Sequence, residues 1–454
     1  MHGFRRNVMT GKGKLCFLIC MIFIVTVVSG CAEHRGGMTE SDSGGTSQTI
    51  DDSSEITDEE NDDVSVTKVT EPGHYVVTDT MQYLYYDNEK VIHPLSEGDS
   101  FYGQDARYDG TEPGFVDNGD GTITDESTGL MWQKEMTRSD FDDAEDKADA
   151  ATTGGYDDWR VPTIKEMYSL MDFRGTDPNV ESTSTSGLTP FIDTDYFDFE
   201  YPTEGRIIDA QYISSTEYVY KVMNGQSAFF GLNLADGRIK GYPQSGGNLQ
   251  VEEGRYYLRL VRGNSAYGTN LFVDNGDGTI TDEATGLMWT QSDSGGDEFA
   301  DMLSDYTNDD GSLNWEEALD FAENLEYGGY DDWRLPNAKE LQSIVDYTRS
   351  PDTTDSPAID SIFECTQIVN EMGDEDYGFY WTGTTHASTN MAGSNAVYIS
   401  FGRALGYMNG VWMDVHGAGA QRSDPKSGDP DDYGNDAPQG DAIRVYNYVR
   451  PVRG

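Results

Sequence analysis

The feature that most constrains this chain is that it says the same thing twice. Phe115-Val-Asp-Asn-Gly-Asp-Gly-Thr-Ile-Thr-Asp-Glu-Ser-Thr-Gly-Leu-Met-Trp132 returns as Phe272 to Trp289, and the two differ only by Ser127 against Ala284. Gly154-Gly-Tyr-Asp-Asp-Trp-Arg-Val-Pro162 returns as Gly328 to Pro336, with Leu335 for Val161. Tyr257-Leu-Arg-Leu-Val-Arg-Gly263 returns as Tyr448-Val-Arg-Pro-Val-Arg-Gly454. Three blocks recur in the same order, so each repeat is a folding unit of roughly 190 residues, far longer than a solenoid repeat. The boundaries are residues 71–264 for the first domain, with an N-terminal extension to about Pro113, and 265–454 for the second. Short apolar stretches at Tyr75 and Tyr83 to Tyr86, with turns near Pro94 and Gly98, predict that this extension is strand-like and packs on the first domain.

Within each repeat the blocks read as local structure. Phe115-Val116 and Thr122-Ile-Thr124 flank the turn Asn118-Gly-Asp-Gly121, and Leu130-Met-Trp132 follows a second turn, which predicts a small meander. Asp117, Asn118, Asp120 and Asp125, and their counterparts Asp274, Asn275, Asp277 and Asp282, are hard oxygen ligands in a turn. The turn reads either as a plain hairpin connection or as a calcium site, although the alternating ligand pattern of an EF-hand is absent. In the second block, Thr163 or Asn337 stands three residues before Glu166 or Glu340, a capping box that starts a helix. Trp132, Trp159, Trp289 and Trp333 are expected as core anchors, and Arg160, Glu166, Arg334 and Glu340 as structural hydrogen bonders. A second helix is expected from Asn314, with Trp315, Ala318, Leu319, Ala322 and Leu325 as its apolar stripe, and from Phe141 to Ala151 in the first repeat. Downstream, Tyr212 to Thr216 matches Tyr380 to Thr384, and Phe229 to Gly241 matches Val397 to Gly406, as strands.

The start of the chain has a different character. Basic Arg5, Arg6, Lys12 and Lys14 precede an apolar run from Leu15 to Val28, shorter than the roughly 20 residues of a spanning helix. Val28-Ser29-Gly30-Cys31 then resembles the lipobox of bacterial lipoproteins. The resemblance implies a signal peptide over residues 1–30 and a lipidated Cys31. Ala32 and Glu33 follow, without an Asp directly after Cys31, which favours an outer-membrane lipoprotein exposed at the cell surface. Residues 31–70 are polar, acidic and nearly free of aromatics, and are read as a disordered tether. Cys16 and Cys20 leave with the signal, so Cys365 remains the only thiol of the folded part, which excludes an internal disulfide and suggests a buried structural residue.

The four motifs together, Asp-Asn-Gly-Asp-Gly-Thr-Ile-Thr-Asp, Thr-Gly-Leu-Met-Trp, Asp-Asp-Trp-Arg-Leu-Pro and a closing Val-Arg-Gly, resemble the DUF1566 domain, named after the C-terminal domain of the Legionella collagen-like adhesin. The likeness spans about 71–454, twice over. It implies an α+β fold of two tandem C-type-lectin-like domains, each with two helices flanking a small twisted antiparallel sheet and long loops, related to the formylglycine-generating-enzyme branch. It also implies an adhesin-like binding protein. The paired catalytic cysteines of that branch are absent here, as are the Glu-Pro-Asn and Trp-Asn-Asp motifs of calcium-dependent sugar sites.

Charge narrows the partners. The chain carries 30 Lys and Arg against 82 Asp and Glu, a formal net charge of -52. Such a field repels phosphate backbones and sulfated polymers, so nucleic acid is excluded and sulfated glycans do not carry over from the resemblance. The expected partners are a glycan, extracellular matrix or another envelope protein, with the membrane touched only through the lipid; the alternative role is a structural envelope lipoprotein. No enzyme is expected. The polar segment of the second repeat, with His416, Gln421, Arg422, Asp424 and Lys426, is the candidate ligand surface. Trp381 and Tyr407 are stacking candidates that core packing explains as well. His416, Ser423 and Asp424 have the residue types of nucleophilic catalysis, but no Gly-x-Ser-x-Gly frames the serine.

Overall fold

Each repeat opens with the meander its first block dictates. Phe115–Asp117, Thr122–Asp125 and Leu130–Gln133 pair antiparallel in one repeat, and Phe272–Asp274, Thr279–Asp282 and Met288–Thr290 in the other. The turn between the first two strands needs Gly121 and Gly278, whose φ values of 89° and 87° lie where only glycine is at ease. The closing Val-Arg-Gly segment of each repeat comes back to this sheet, setting Val261 opposite Trp132 and Val452 opposite Trp289. Both tryptophans are fully buried. A repeat is therefore knotted to its own beginning by its own last residues. The computed structural model describes residues 73–245, 254–433 and 440–454. The expected signal peptide, lipidated Cys31 and tether lie outside the described residues.

The capping boxes work as expected. Thr163 accepts from the Glu166 amide and Asn337 from the Glu340 amide, starting the short helices Ile164–Tyr168 and Ala338–Ser343. Asn314 likewise starts Trp315–Glu323. The stripe of Trp315, Ala318, Leu319, Ala322 and Leu325 is buried throughout. The first repeat's counterpart is a single six-residue helix, Ala144–Asp149. The helices are few and short, and the architecture is mixed α and β with sheets predominating. Among the described residues no helix is long and apolar enough to cross a membrane.

The sheets hold the least expected feature. An eight-stranded sheet runs Phe379–Thr385, Asn395–Ser400, Gln421–Pro425, Arg238–Pro243, Ala228–Asn233, Gln211–Tyr212, Tyr256–Leu258, Thr137–Ser139. Its third and fourth strands join the two repeats, with Gln421 opposite Ile239 in antiparallel register. Outward from this seam each repeat contributes a run of three strands, after which the first repeat alone adds Tyr256–Leu258 and Thr137–Ser139, so the repeats meet edge to edge with only partial symmetry. The Gly241 amide donates to the His416 carbonyl across this seam at 2.8 Å, and a Cβ at Gly241 would stand 2.8 Å from that same oxygen. Only glycine fits there. Gly402-Arg-Ala-Leu-Gly-Tyr407, which reads like Gly237-Arg-Ile-Lys-Gly-Tyr242, does not take the equivalent place. It peels away into a separate hairpin, Leu405–Met408 with Val411–Asp414, and Gln421–Pro425 pairs with Asn395–Ser400 instead.

A second set of contacts relates the repeats more evenly. The half-buried Lys165 ammonium donates to the Ser343 carbonyl (2.7 Å), Gly268 carbonyl (3.1 Å) and Asn270 Oδ1 (2.8 Å). Lys339 donates to the Ser169 carbonyl (3.0 Å), the Asp79 carbonyl (2.8 Å) and Thr78 Oγ1 (3.2 Å). Each lysine thus reaches the serine that ends the other repeat's helix. Ile164, Met167 and Tyr168 share one core with Leu341, Ile344 and Val345. The described residues, from 73 onward, form one compact unit.

The N-terminal extension does not pack on the first repeat alone, as its position in the chain suggested. The Tyr75 amide donates to Ala284 (2.9 Å), Gln82 Nε2 to the Thr385 carbonyl (2.7 Å), and Thr384 Oγ1 to Asp105 (2.5 Å), all in the second repeat. Phe101 stacks on Trp315. Contacts with the first repeat are fewer, among them the Phe173 amide to the Thr80 carbonyl at 2.8 Å. The extension packs beside Lys339 of the second repeat as the lead-in of the second repeat, Tyr267 to Asn270, packs beside Lys165 of the first.

Candidate functional site

The second-block residues are structural. Arg160 grips Glu166 through two hydrogen bonds of 2.6 and 2.5 Å, and Arg334 grips Glu340 through two of 2.7 Å. The indoles of Trp159 and Trp333 donate to the Thr153 and Tyr327 carbonyls. The arginines of the closing blocks are as important. Arg259 and Arg450 are buried and donate to backbone carbonyls of Gln133 and Asp198, and of Thr290 and Glu364. Cys365 is half-buried rather than enclosed, beside Arg450 at 3.4 Å, with its thiol pushed up by burial.

The acidic turns use their oxygens locally. Asp117 accepts from the Gly119 amide, Asp120 from the Thr122 amide and hydroxyl, and Asn118 donates to Thr122 and Thr124. Buried Asp125 takes the amides of Gly114 and Ser127 and the Thr128 hydroxyl. Asp274, Asn275, Asp277 and Asp282 repeat the pattern. Among the described residues no three His, Cys, Asp or Glu side chains group as a metal ion would need.

The polar segment of the second repeat is not an open loop. Gln421, Arg422 and Asp424 belong to an interior strand of the large sheet, and all five candidate ligand residues are buried. His416 Nε2 and the Arg422 guanidinium both bond Asp441. Burial and the nearby Arg422 charge lower His416 to about 4, so it is neutral. Asp424 accepts from the Arg444 and Val445 amides and from Asn447, and burial raises it to about 6. Lys426 donates to Thr385 at 2.8 Å and sits 3.7 Å above the Trp315 ring. These side chains are tied down by the fold. His416, Ser423 and Asp424 do not converge either: Ser423 lies beside His386, 3.1 Å from Nδ1. Trp381 is wholly buried, its indole donating to the Leu313 carbonyl.

One of them, Asp424, holds Arg444 and Asn447 in the wall of a neighbouring groove. A depression of about 720 Å³ in the second repeat is lined by Trp412, Phe379, Tyr446 and Tyr448 with Arg444 and Glu371. Trp412 stands on the peeled-away hairpin, edge to face with Tyr407 at 5.3 Å, and is partly exposed. Arg444 lies 3.8 Å over the Phe379 ring and bonds Glu371 twice, at 2.9 and 3.1 Å. Burial opposes the Glu371 charge, yet Arg444 holds its carboxyl below the usual range. Arg444 Nη1 is buried without a partner among the described residues. Aromatic faces beside a fixed, charge-compensated pair suit a ligand with one apolar and one hydroxylated side. At the matching Tyr257 the first repeat has only a hollow of about 320 Å³, lined by Glu135, Arg138 and Glu200. The signal in the sequence was Trp412 within a hairpin alternation; Arg444 and Glu371 gave none, because they meet across 73 residues.

The profile of the Lcl C-terminal domain matches residues 121–262 and again 278–414. Neither the curated proteins nor the solved structures yielded a match to this chain.

Proposed function

Because this chain belongs to the Lcl C-terminal domain family, which suggests a surface or adhesin-like protein, we propose that it is a lipid-anchored binding protein that recognises neutral glycans or glycan-bearing matrix through the Trp412 groove, and that it performs no catalysis. Each repeat is on this reading a C-type-lectin-like unit, and Cys31 carries the lipid that displays the pair outside the cell. The observation that carries the reading is the Trp412 face beside the pinned Arg444–Glu371 pair, which offers stacking and hydrogen bonding in one groove. A net charge of -52 disfavours sulfated ligands.

The experiment is a glycan array probed with the chain from Ala32 onward, and with Trp412→Ala. Binding to neutral glycans that Trp412→Ala reduces at least tenfold supports the proposal. No binding, or equal binding by the variant, refutes it. A second reading, a structural envelope protein that grips another protein, draws on Val369 and Val411, which are 73% and 53% exposed, Val369 on the groove wall and Val411 beside Trp412. Capture of one envelope protein with no glycan bound would favour it.

A further inference from the structure

A different cavity, of about 260 Å³, opens at the seam where the repeats share their sheet. Arg238 comes from the first repeat; His386, Arg422, Ser423 and Asp441 come from the second, and Asp177 closes the wall. Arg238 Nη2 donates to Asp177 at 2.7 Å and to Ser423 Oγ at 3.1 Å. His386 is buried, and its Nε2 lies 2.9 Å from the Asp236 carbonyl, so that nitrogen carries the hydrogen and Nδ1 accepts from Ser423. Burial and the Arg238 charge keep the imidazole neutral. Two guanidiniums therefore face two carboxylates, and the cavity has no net charge. One donor is left over: Arg422 Nη1 is buried and has no partner among the described residues, while Arg422 Nε is spent on Asp441 at 2.9 Å.

We propose that this seam cavity binds one neutral, polyhydroxylated residue of monosaccharide size; the proposal rests on the glycan reading above and adds a site that neither repeat possesses alone. A hydroxyl both donates and accepts, and the wall supplies carboxylates at Asp177 and Asp441 and side-chain amides at Asn179, Asn390 and Asn395. An ion entering here would lose its hydration with no net charge to replace it. The volume is below the roughly 300–1,000 Å³ of drug-sized sites, which limits the occupant to one ring. Met391, 60% exposed, and Ile443 give the apolar side that a pyranose face covers.

Saturation-transfer NMR on the chain from Ala32 onward tests this with glucose, galactose, mannose and N-acetylglucosamine, against glycine and glucuronate as charged controls. The expected result is saturable transfer to at least one neutral sugar and none to the controls. Asn390 is exposed on the cavity rim, and Asn390→Trp should weaken that sugar at least tenfold with an unchanged melting temperature. Trp412→Ala should leave it intact. Silence from all four sugars, preference for a charged control, or a signal that survives Asn390→Trp or vanishes in Trp412→Ala overturns the proposal. Array binding that depends on Trp412 while the four monosaccharides stay silent sinks the seam site and leaves the groove standing.

Discussion

Replacing Lys339 by Met removes an ammonium that is wholly enclosed at the repeat interface. Burial lowers this lysine to about 8 from 10.5, a shift that corresponds to a cost of about 3 kcal/mol for keeping it charged at neutral pH. Against that stand three hydrogen bonds, at 2.8, 3.0 and 3.2 Å, from a charged donor. Such bonds contribute about 1.5–3 kcal/mol each, so the lysine is net stabilising, and its loss also strands the Asp79 carbonyl. The expected loss is about 3 kcal/mol, seen by calorimetry as a downward shift of several degrees in one transition, because the repeats share a core. The pH dependence has a definite sign. Between about 8 and 10.5 the unfolded chain holds a proton that the folded lysine has released, so the stability from this group rises with pH. The wild-type advantage over Lys339→Met should therefore widen across that window. Two separate melting transitions in the wild type, a loss under about 1 kcal/mol, or an advantage that shrinks above pH 8 would refute the reasoning.

Asp414 accepts from Tyr218 of the other repeat at 2.7 Å, and burial raises it to about 7. The folded carboxyl keeps its proton where the unfolded one has lost it, so this group's contribution falls by about 1 kcal/mol per pH unit between pH 4 and 7; Asp414→Asn should flatten that slope in melting curves. Arg334→Lys should cost about 1–2 kcal/mol in denaturant unfolding, since a lysine cannot make the paired bonds to Glu340. Arg160→Lys should cost less, because the Arg160 side chain is 31% exposed against 11% for Arg334. Millimolar calcium should leave the melting temperature unchanged, as the turn carboxylates are committed to local amides and hydroxyls; a rise of several degrees would place metal there.

Local chemistry was legible and distant chemistry was not. Thr163, Asn314 and Asn337 announced three helix starts, since a capping box is complete within four residues. The meander and its glycine turns were equally readable from Phe115 to Trp132. The position of Gln421 opposite Ile239 was invisible, because strand pairing over such a separation leaves no period in the sequence. The same gap misled the reading of His416 to Lys426. Charged residues between turns look like a surface loop, but Asp441 and Asn447 were waiting to receive them inside the fold. The place of the extension was hidden for a related reason: nearness in the chain favours the first repeat, whereas the lead-in of the second repeat at Gly268 and Asn270 occupies that ground.

The seam between Arg238–Pro243 and Gln421–Pro425 also governs what happens if the chain is cut. A fragment ending near residue 264 would bare the Arg238–Pro243 strand as a raw border of unpaired amides and carbonyls. In the whole chain Gln421–Pro425 covers that border, a strand that is not the counterpart of Arg238–Pro243, so the second repeat serves the first as a tethered edge cover whose presence does not depend on concentration.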